Sequence, residues 1–194
     1  MSFYRFAKNV VKLVLKPKYK VIAKGTENIP KEGPVIICSN HISNYDPPIV
    51  GITCPRDIHF LAKEELFKNK LFGYILHKVH AFPIKRGMKD RNALRKGLEV
   101  LKDGHVLGLF PEGTRSKNGE LKRGLAGAGF FALRSKATVI PCAIIGEYKS
   151  KEPLQVVYGM PVDMESLRKN KRSAQEVTDA IMEDIKKIKE KQPV

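Results

Sequence analysis

Residues 34–48 read Pro34-Val35-Ile36-Ile37-Cys38-Ser39-Asn40-His41-Ile42-Ser43-Asn44-Tyr45-Asp46-Pro47-Pro48. The first part is a continuous apolar run, the pattern of a strand covered on both faces rather than one with a wet side. The second part is polar and ends in two prolines. Asp46 precedes a proline, which disfavours the αR conformation at Asp46. Pro47 suits the first turn of a helix, where its missing N–H costs nothing. Asp46 therefore reads as an N-cap and residues 42–45 as a connecting turn. A buried strand passing through a short turn into a helix is the repeating unit of an α/β sheet.

The rest of the chain repeats the pattern. Short apolar stretches recur at residues 21–23, 58–61, 79–84, 106–110, 138–145 and 154–158, several of them continuous rather than alternating. Between them lie helical patterns. Residues 91–102 place Ala93, Leu94, Leu98 and Leu101 on one side, with Gly104 as a C-terminal stop, and residues 125–134 carry Phe130, Phe131 and Leu133 among small residues. A last helix over 174–189 has a capping box in Ser173 and Glu176, and a stripe of Val177, Ile181, Ile185 and Ile188. The expected fold is a single α/β domain with a largely parallel central sheet flanked by helices. The 194 residues and 42% hydrophobic content suit one domain with a sizeable core.

Residues 3–16 read as an N-terminal amphipathic helix, with Phe3, Phe6, Val10, Leu13 and Val14 at helical spacing, Arg5, Lys8, Lys12 and Lys16 between them, and Pro17 as its stop. Two readings fit: a core helix with a solvated basic edge, or a helix lying in a membrane interface with its lysines near anionic headgroups. The second divides the chain into an interface helix over 1–17 and an α/β domain over 18–194.

Charge is the unusual feature of the composition. The chain has 36 Lys and Arg against 20 Asp and Glu, a net charge of +16. Such a field favours anionic partners: nucleic acid, an anionic membrane surface, phosphorylated substrates or an acidic carrier protein. No recognised nucleic-acid motif is present, and aromatics are not interleaved with the basic runs, so nucleic acid is not the expected partner. Cys38, Cys54 and Cys142 show no CxxC spacing and read as buried reduced thiols. No apolar run approaches the roughly 18 residues that a spanning helix needs. The expected location is peripheral, on the cytoplasmic face of the cell membrane.

Three constellations carry chemistry. His41 should emerge past the carboxyl end of a buried strand, the edge at which open α/β sheets bind ligands. On a continuous helix, residues five apart point about 140° away from each other, but across a turn His41 and Asp46 can converge. A carboxylate on one ring nitrogen fixes the tautomer and leaves the other to take a proton. An aspartate cap beside an unrelated histidine fits the same ten residues. The second constellation is Phe110-Pro111-Glu112-Gly113-Thr114-Arg115-Ser116, again after an apolar strand. Arg115 can pair with phosphate oxygens, Gly113 permits close backbone approach, and Glu112 can accept a bond from a hydroxyl; a turn with a surface arginine fits equally. The third, Phe82-Pro83-Ile84-Lys85-Arg86-Gly87, sets two cations at a strand end, for a phosphate or for solvent.

Other chemistries lack their signatures. There is no G-x-S-x-G elbow and no P-loop. Gly127-Ala128-Gly129 opens a dinucleotide-like pattern but follows polar residues rather than a strand, and reads as helix packing or a loose turn. The remaining histidines show no metal-ligand spacing, and no metal site is expected.

Taken in order, these blocks resemble the glycerolipid acyltransferase family, specifically its 1-acylglycerol-3-phosphate acyltransferases. Asn40-His41 to Asp46 matches its N-H-x-x-x-x-D block, Phe82, Ile84 and Arg86 its aromatic-x-I-x-R block, Phe110 to Ser116 its F-P-E-G-T-R-S block, and Val139-Ile140-Pro141 its proline-centred apolar block. The resemblance covers roughly residues 20 to 160. It implies acyl transfer from a thioester, on acyl carrier protein or coenzyme A, to the 2-hydroxyl of lysophosphatidic acid, giving phosphatidic acid. His41 would be the general base and Asp46 its orienting partner, with no covalent acyl-enzyme and no resident cofactor. Lys85, Arg86 and Arg115 would hold the phosphate, and Glu112, Gly113 and Thr114 would shape the acceptor pocket. Glycerol-3-phosphate or another lysophospholipid is the alternative acceptor. A basic nucleic-acid-binding module is the alternative outside enzymes.

Overall fold

The computed structural model describes residues 2–85, 90–116, 118–148 and 151–191. Seven strands form one sheet: β1 Ile22–Lys24, β2 Val35–Ser39, β3 Ile58–Lys63, β4 Ala81–Ile84, β5 Val106–Leu109, β6 Thr138–Ile145 and β7 Gln155–Tyr158. Each lies on one of the apolar stretches identified above. The order across the sheet is β1-β7-β6-β2-β5-β3-β4. The five strands from β6 to β4 are parallel, whereas β7 runs antiparallel to β6 and carries β1 parallel beside it. β2 sits at the centre and is buried along its whole length, with Ile37 in register with Gly108 on one side and Ile140 on the other.

Among the described residues seven α-helices cover the sheet: α1 Phe3–Lys18, α2 Asp46–Thr53, α3 Lys70–Lys78, α4 Arg91–Lys102, α5 Gly127–Arg134, α6 Met164–Lys169 and α7 Ala174–Glu190. The crossovers through α2 and α3 step across the sheet in one direction, and those through α4 and α5 step back. Right-handed crossovers then put α2 and α3 on one face and α4 and α5 on the other. The apolar core divides accordingly. Val35, Ile37, Ile140 and Ile144 pack with Ile49 and Val50 of α2 and Leu15 of α1. Ile36, Cys38, Leu107 and Val139 pack with Val100 and Leu101 of α4, Phe131 of α5, and Val177, Ile181 and Ile185 of α7.

Local signals hold in several places. The Ser173–Glu176 capping box starts α7. Gly104, at φ +78°, donates its N–H to Leu101, and His105 donates to Val100, closing α4 as a Schellman turn. Gly129 is a packing glycine: a Cβ there would fall 1.8 Å from the Ala174 carbonyl oxygen at the start of α7.

Two local expectations change. Pro17 does not end α1, which continues to Lys18, because the Tyr19 N–H still reaches the Leu15 carbonyl at 3.0 Å and the Val21 N–H reaches that of Lys16. A proline in the last turn removes one ladder bond, and the bonds on either side of it hold the turn. Asp46 is not the N-cap of α2 but its first residue, and its carboxylate turns back over residues 41–43. Helices α3 and α6 were not foreseen. Their sequences, KLFGYILHK and MESLRK, are too short to show an apolar period.

The amphipathic helix α1 lies on the sheet face of α2, but its apolar stripe is not its docking side. Tyr4 and Leu15 are buried and Lys8 and Val11 are half-buried, whereas Phe3, Phe6, Val10, Leu13 and Val14 face out. The core-helix reading of that stripe is therefore overturned.

Candidate active site

The carboxyl end of β2 delivers Asn40 and His41 at the edge where the neighbouring strands β5 and β6 also end. The chain leaves the sheet after Ser39, and Asn40 replaces the lost pairing with its side chain. Its amide oxygen accepts from the Ile144 N–H at 2.7 Å and its amide nitrogen donates to the Ile144 carbonyl at 3.0 Å. A carboxamide has a peptide's donor and acceptor, so it continues the ladder by one residue.

His41 and Asp46 meet. The His41 Nδ1 stands 2.7 Å from Asp46 Oδ2 in a buried setting. The same oxygen accepts the N–H groups of Ile42 at 2.6 Å and Ser43 at 2.7 Å. Asp46 Oδ1 accepts the Tyr148 hydroxyl at 2.7 Å. Four donors thus converge on one fully buried carboxylate. With Nδ1 donating to Asp46, Nε2 is the nitrogen whose lone pair can accept a proton, and it makes no hydrogen bond among the described residues. The Phe110 ring stacks on the imidazole with centroids 4.3 Å apart, which limits its rotation.

The Phe110–Ser116 turn clamps the His41 backbone from both sides. Glu112 Oε1 accepts the His41 N–H at 2.9 Å, and the His41 carbonyl accepts the Ser116 N–H at 2.7 Å. Glu112 Oε2 accepts the Lys122 N–H at 3.1 Å. Glu112 is buried with each carboxylate oxygen on a backbone amide, so the structure gives it a positioning task at the His41 backbone. Gly113 turns the chain at φ +66°, and a Cβ there would lie 2.6 Å from the Leu125 side chain.

The expected phosphate ligands stand nearer solvent. Thr114 and Arg115 are exposed, and the Arg115 guanidinium has no carboxylate partner among the described residues. The Arg115 carbonyl is fixed instead, by the Lys122 ammonium at 2.9 Å. Lys85 is exposed at the end of β4, with its ammonium 3.6 Å from Glu64 and its N–H bonded to Asp90 Oδ2 at 2.9 Å. Arg86 lies outside the described residues. Among the described residues no cluster of His, Cys, Asp and Glu has the makings of a metal site, and burial pushes the Cys38 thiol up to about 12.

Tyr148 was missed by sequence reading. It lies just beyond β6 and packs edge-on against Tyr19, at 5.0 Å, and tilted against Tyr45, at 5.8 Å. Burial first, and then the Asp46 charge, raise its phenol far above the ordinary tyrosine range, which keeps it a donor. It is 102 residues from Asp46, and no spacing pattern links them; Gly146, at φ +101°, was the only local hint of a turn there.

Comparison with known proteins gives a consistent result. A family model described as Acyltransferase matches residues 20–145. A 1-acyl-sn-glycerol-3-phosphate acyltransferase of Bacillus subtilis is 33% identical, with 97% of this chain and 98% of that protein aligned. One from Streptococcus pneumoniae is 28% identical over 97% of this chain and 74% of that protein. Among solved structures, the 1-acyl-sn-glycerophosphate acyltransferase PlsC from Thermotoga maritima superposes with a TM-score of 0.73 at 25% identity, covering 99% of this chain and 88% of that one.

Proposed function

The chain belongs to the acyltransferase family, and on that footing we propose that it is a 1-acyl-sn-glycerol-3-phosphate O-acyltransferase. It transfers an acyl group from a thioester to the 2-hydroxyl of lysophosphatidic acid, giving phosphatidic acid. The observation that carries the reading is the buried His41–Asp46 pair at the carboxyl edge of the sheet, whose Nε2 makes no hydrogen bond among the described residues.

In the proposed step, His41 Nε2 takes the proton of the acceptor hydroxyl as its oxygen attacks the thioester carbonyl. Asp46, held by its other three donors, keeps the ring in the correct tautomer and stabilises the imidazolium. Collapse of the tetrahedral intermediate forms the ester, breaks the C–S bond and returns the proton from His41 to the leaving thiolate. The products are an ester and a free thiol. The thioester supplies the activation, so the step draws on no resident cofactor and no covalent acyl-enzyme. Arg115, with Lys85 and Arg86, holds the acceptor phosphate, and Gly113 and Thr114 shape the pocket beside it. Coenzyme A and an acidic acyl carrier protein are both donors that the net charge of +16 would attract.

The chain works from a membrane surface, peripherally and on its cytoplasmic face. The outward stripe of α1 supports this reading, and among the described residues no helix is long and apolar enough to cross a bilayer.

Purified protein given lysophosphatidic acid and an acyl thioester should release free thiol, and His41→Ala should lower kcat by about 10²- to 10⁴-fold, the range of general-base catalysis. A folded His41→Ala protein with full activity would rule out the base. Competition with glycerol-3-phosphate and other lysophospholipids identifies the acceptor.

A further inference from the structure

We infer that α3 is a second lipid-inserting element, and that α1 and α3 together form one docking face for an anionic bilayer. The inference rests on the peripheral reading above and extends it from one helix to two.

Helix α3 is bound to the body of the protein along a narrow seam. Gly73 is its one buried residue, set so close that a Cβ would lie 2.9 Å from the Phe67 carbonyl oxygen. Leu76 is half-buried. At about 100° per residue, Leu71 and Ile75 point away from Gly73, with Tyr74 and Phe72 on the flanks. All four are exposed, Leu71 by 72%. With the five outward residues of α1, they account for most of the large exposed apolar side chains among the described residues; none of these lies on α4, α5, α6 or α7. Apolar surface gathered on one side of a molecule marks a contact with something apolar.

The two helices lie on the same face. Helix α3 shares its crossover direction with α2, against which α1 packs. The Tyr4 ring, near the start of α1, stacks at 4.7 Å on His80, just beyond the end of α3. The helices run antiparallel. Helix α3 begins after the Glu64–Phe67 turn at the carboxyl end of β3, and α1 finishes at Tyr19, which touches Tyr45 and Tyr148 beside His41. The apolar face therefore opens at its far end onto the candidate active site.

Charge selects the occupant. Helices α1 and α3 contain Arg5, Lys8, Lys12, Lys16, Lys18, Lys70 and Lys78 and no acidic residue at all, whereas α7 alone carries five acids. Exposed apolar side chains on helices whose only charges are cations suit the boundary between acyl chains and anionic headgroups. A second copy of this chain would set cation against cation.

The chain contains no tryptophan, so single-tryptophan variants report position directly. Leu71→Trp, Leu13→Trp and Arg95→Trp (the last on the opposite face) would be mixed with phosphatidylglycerol–phosphatidylcholine vesicles brominated on their acyl chains. Leu71→Trp and Leu13→Trp should shift to the blue and lose most of their emission, and Arg95→Trp should do neither. Quenching of Leu13→Trp without Leu71→Trp would overturn the inference and leave the reading of α1 standing. Quenching of neither would overturn both. A shift of Leu71→Trp that grows with protein concentration in the absence of lipid would assign the face to a second copy and overturn the lipid assignment. As a second readout, Leu71→Glu/Ile75→Glu should lose flotation with these vesicles while still releasing thiol on a dispersed short-chain acceptor; flotation equal to wild type would sink the proposal.

Discussion

The Tyr148 hydroxyl donates to Asp46 Oδ1 across 2.7 Å, opposite the oxygen that holds His41. The carboxylate that orients the proposed base is thus itself oriented from the loop after β6. Removing one bond to a buried charged group costs about 1.5–3 kcal/mol. Tyr148→Phe should therefore lower kcat by roughly tenfold or more, with KM for the acceptor little changed. Steady-state kinetics with circular dichroism as a folding control measures it. A rise in KM at constant kcat would place Tyr148 in substrate binding instead.

Glu112 provides a sharper test of positioning against substrate contact. Glutamine keeps one acceptor oxygen and replaces the other by an amide that cannot accept. Either the His41 or the Lys122 N–H then faces a donor. Glu112→Gln should cost about 1–3 kcal/mol in urea unfolding, the penalty of an unsatisfied buried donor, and should lower kcat more than it raises KM. A variant of normal stability with a raised KM would restore the hydroxyl-contact reading.

Acid should loosen the edge opposite the active site. The rings of Tyr4, His80, His59 and His105 form a stack with centroid spacings of 4.7, 4.5 and 5.1 Å, and the Nδ1 atoms of His59 and His80 are buried without hydrogen-bond partners among the described residues. Burial first, then the charges of His80 and His105, lower the His59 pKa to about 4. The unfolded chain binds this proton near pH 6.5, so the stabilisation is complete above that pH and is lost as pH falls towards 4. The ring is only half-buried, which holds the effect to the order of 1 kcal/mol after solvent screening. Urea midpoints at pH 7.5 and 5 should differ less in His59→Phe than in the wild type. Equal slopes would remove His59 from the acid sensitivity.

Two neighbouring glycines should respond oppositely to alanine. At Gly129 the new methyl would collide with the Ala174 backbone and force α5 off α7, at about 2–3 kcal/mol. At Gly127 nothing lies within 4 Å of the added Cβ. Gly127→Ala should be neutral or stabilise α5 by up to about 1 kcal/mol. Thermal melts of the pair decide it, and equal gains would mean that helix propensity rather than packing governs the segment.

Much of the fold was legible in short windows of sequence. A buried strand must be apolar on both faces, and Val35–Cys38 and Val139–Ile145 are. Caps are written in adjacent residues, as at Ser173–Glu176 and Gly104. Helix α3 was not legible, because nine residues are too few for its apolar spacing to be told from a short strand-like run. Even in α1, where the period was clear, its meaning was not. The stripe that usually marks a buried side is here the exposed one, and Tyr4, Lys8, Val11 and Leu15 form the seam instead.

Short windows of sequence were enough for the kinds of elements and for the strand-to-turn register that brings His41 to the sheet edge. It took the folded chain to turn Asp46 back to His41 rather than let it cap α2, to clamp the His41 backbone with Glu112 from 71 residues away, to bind Asn40 to Ile144 of β6, and to bring in Tyr148 from the loop beyond β6. The physical reason is range. Strand, helix and cap preferences arise between residues a few positions apart, whereas these hydrogen bonds exist only once the parallel crossovers have set the ends of β2, β5 and β6 side by side.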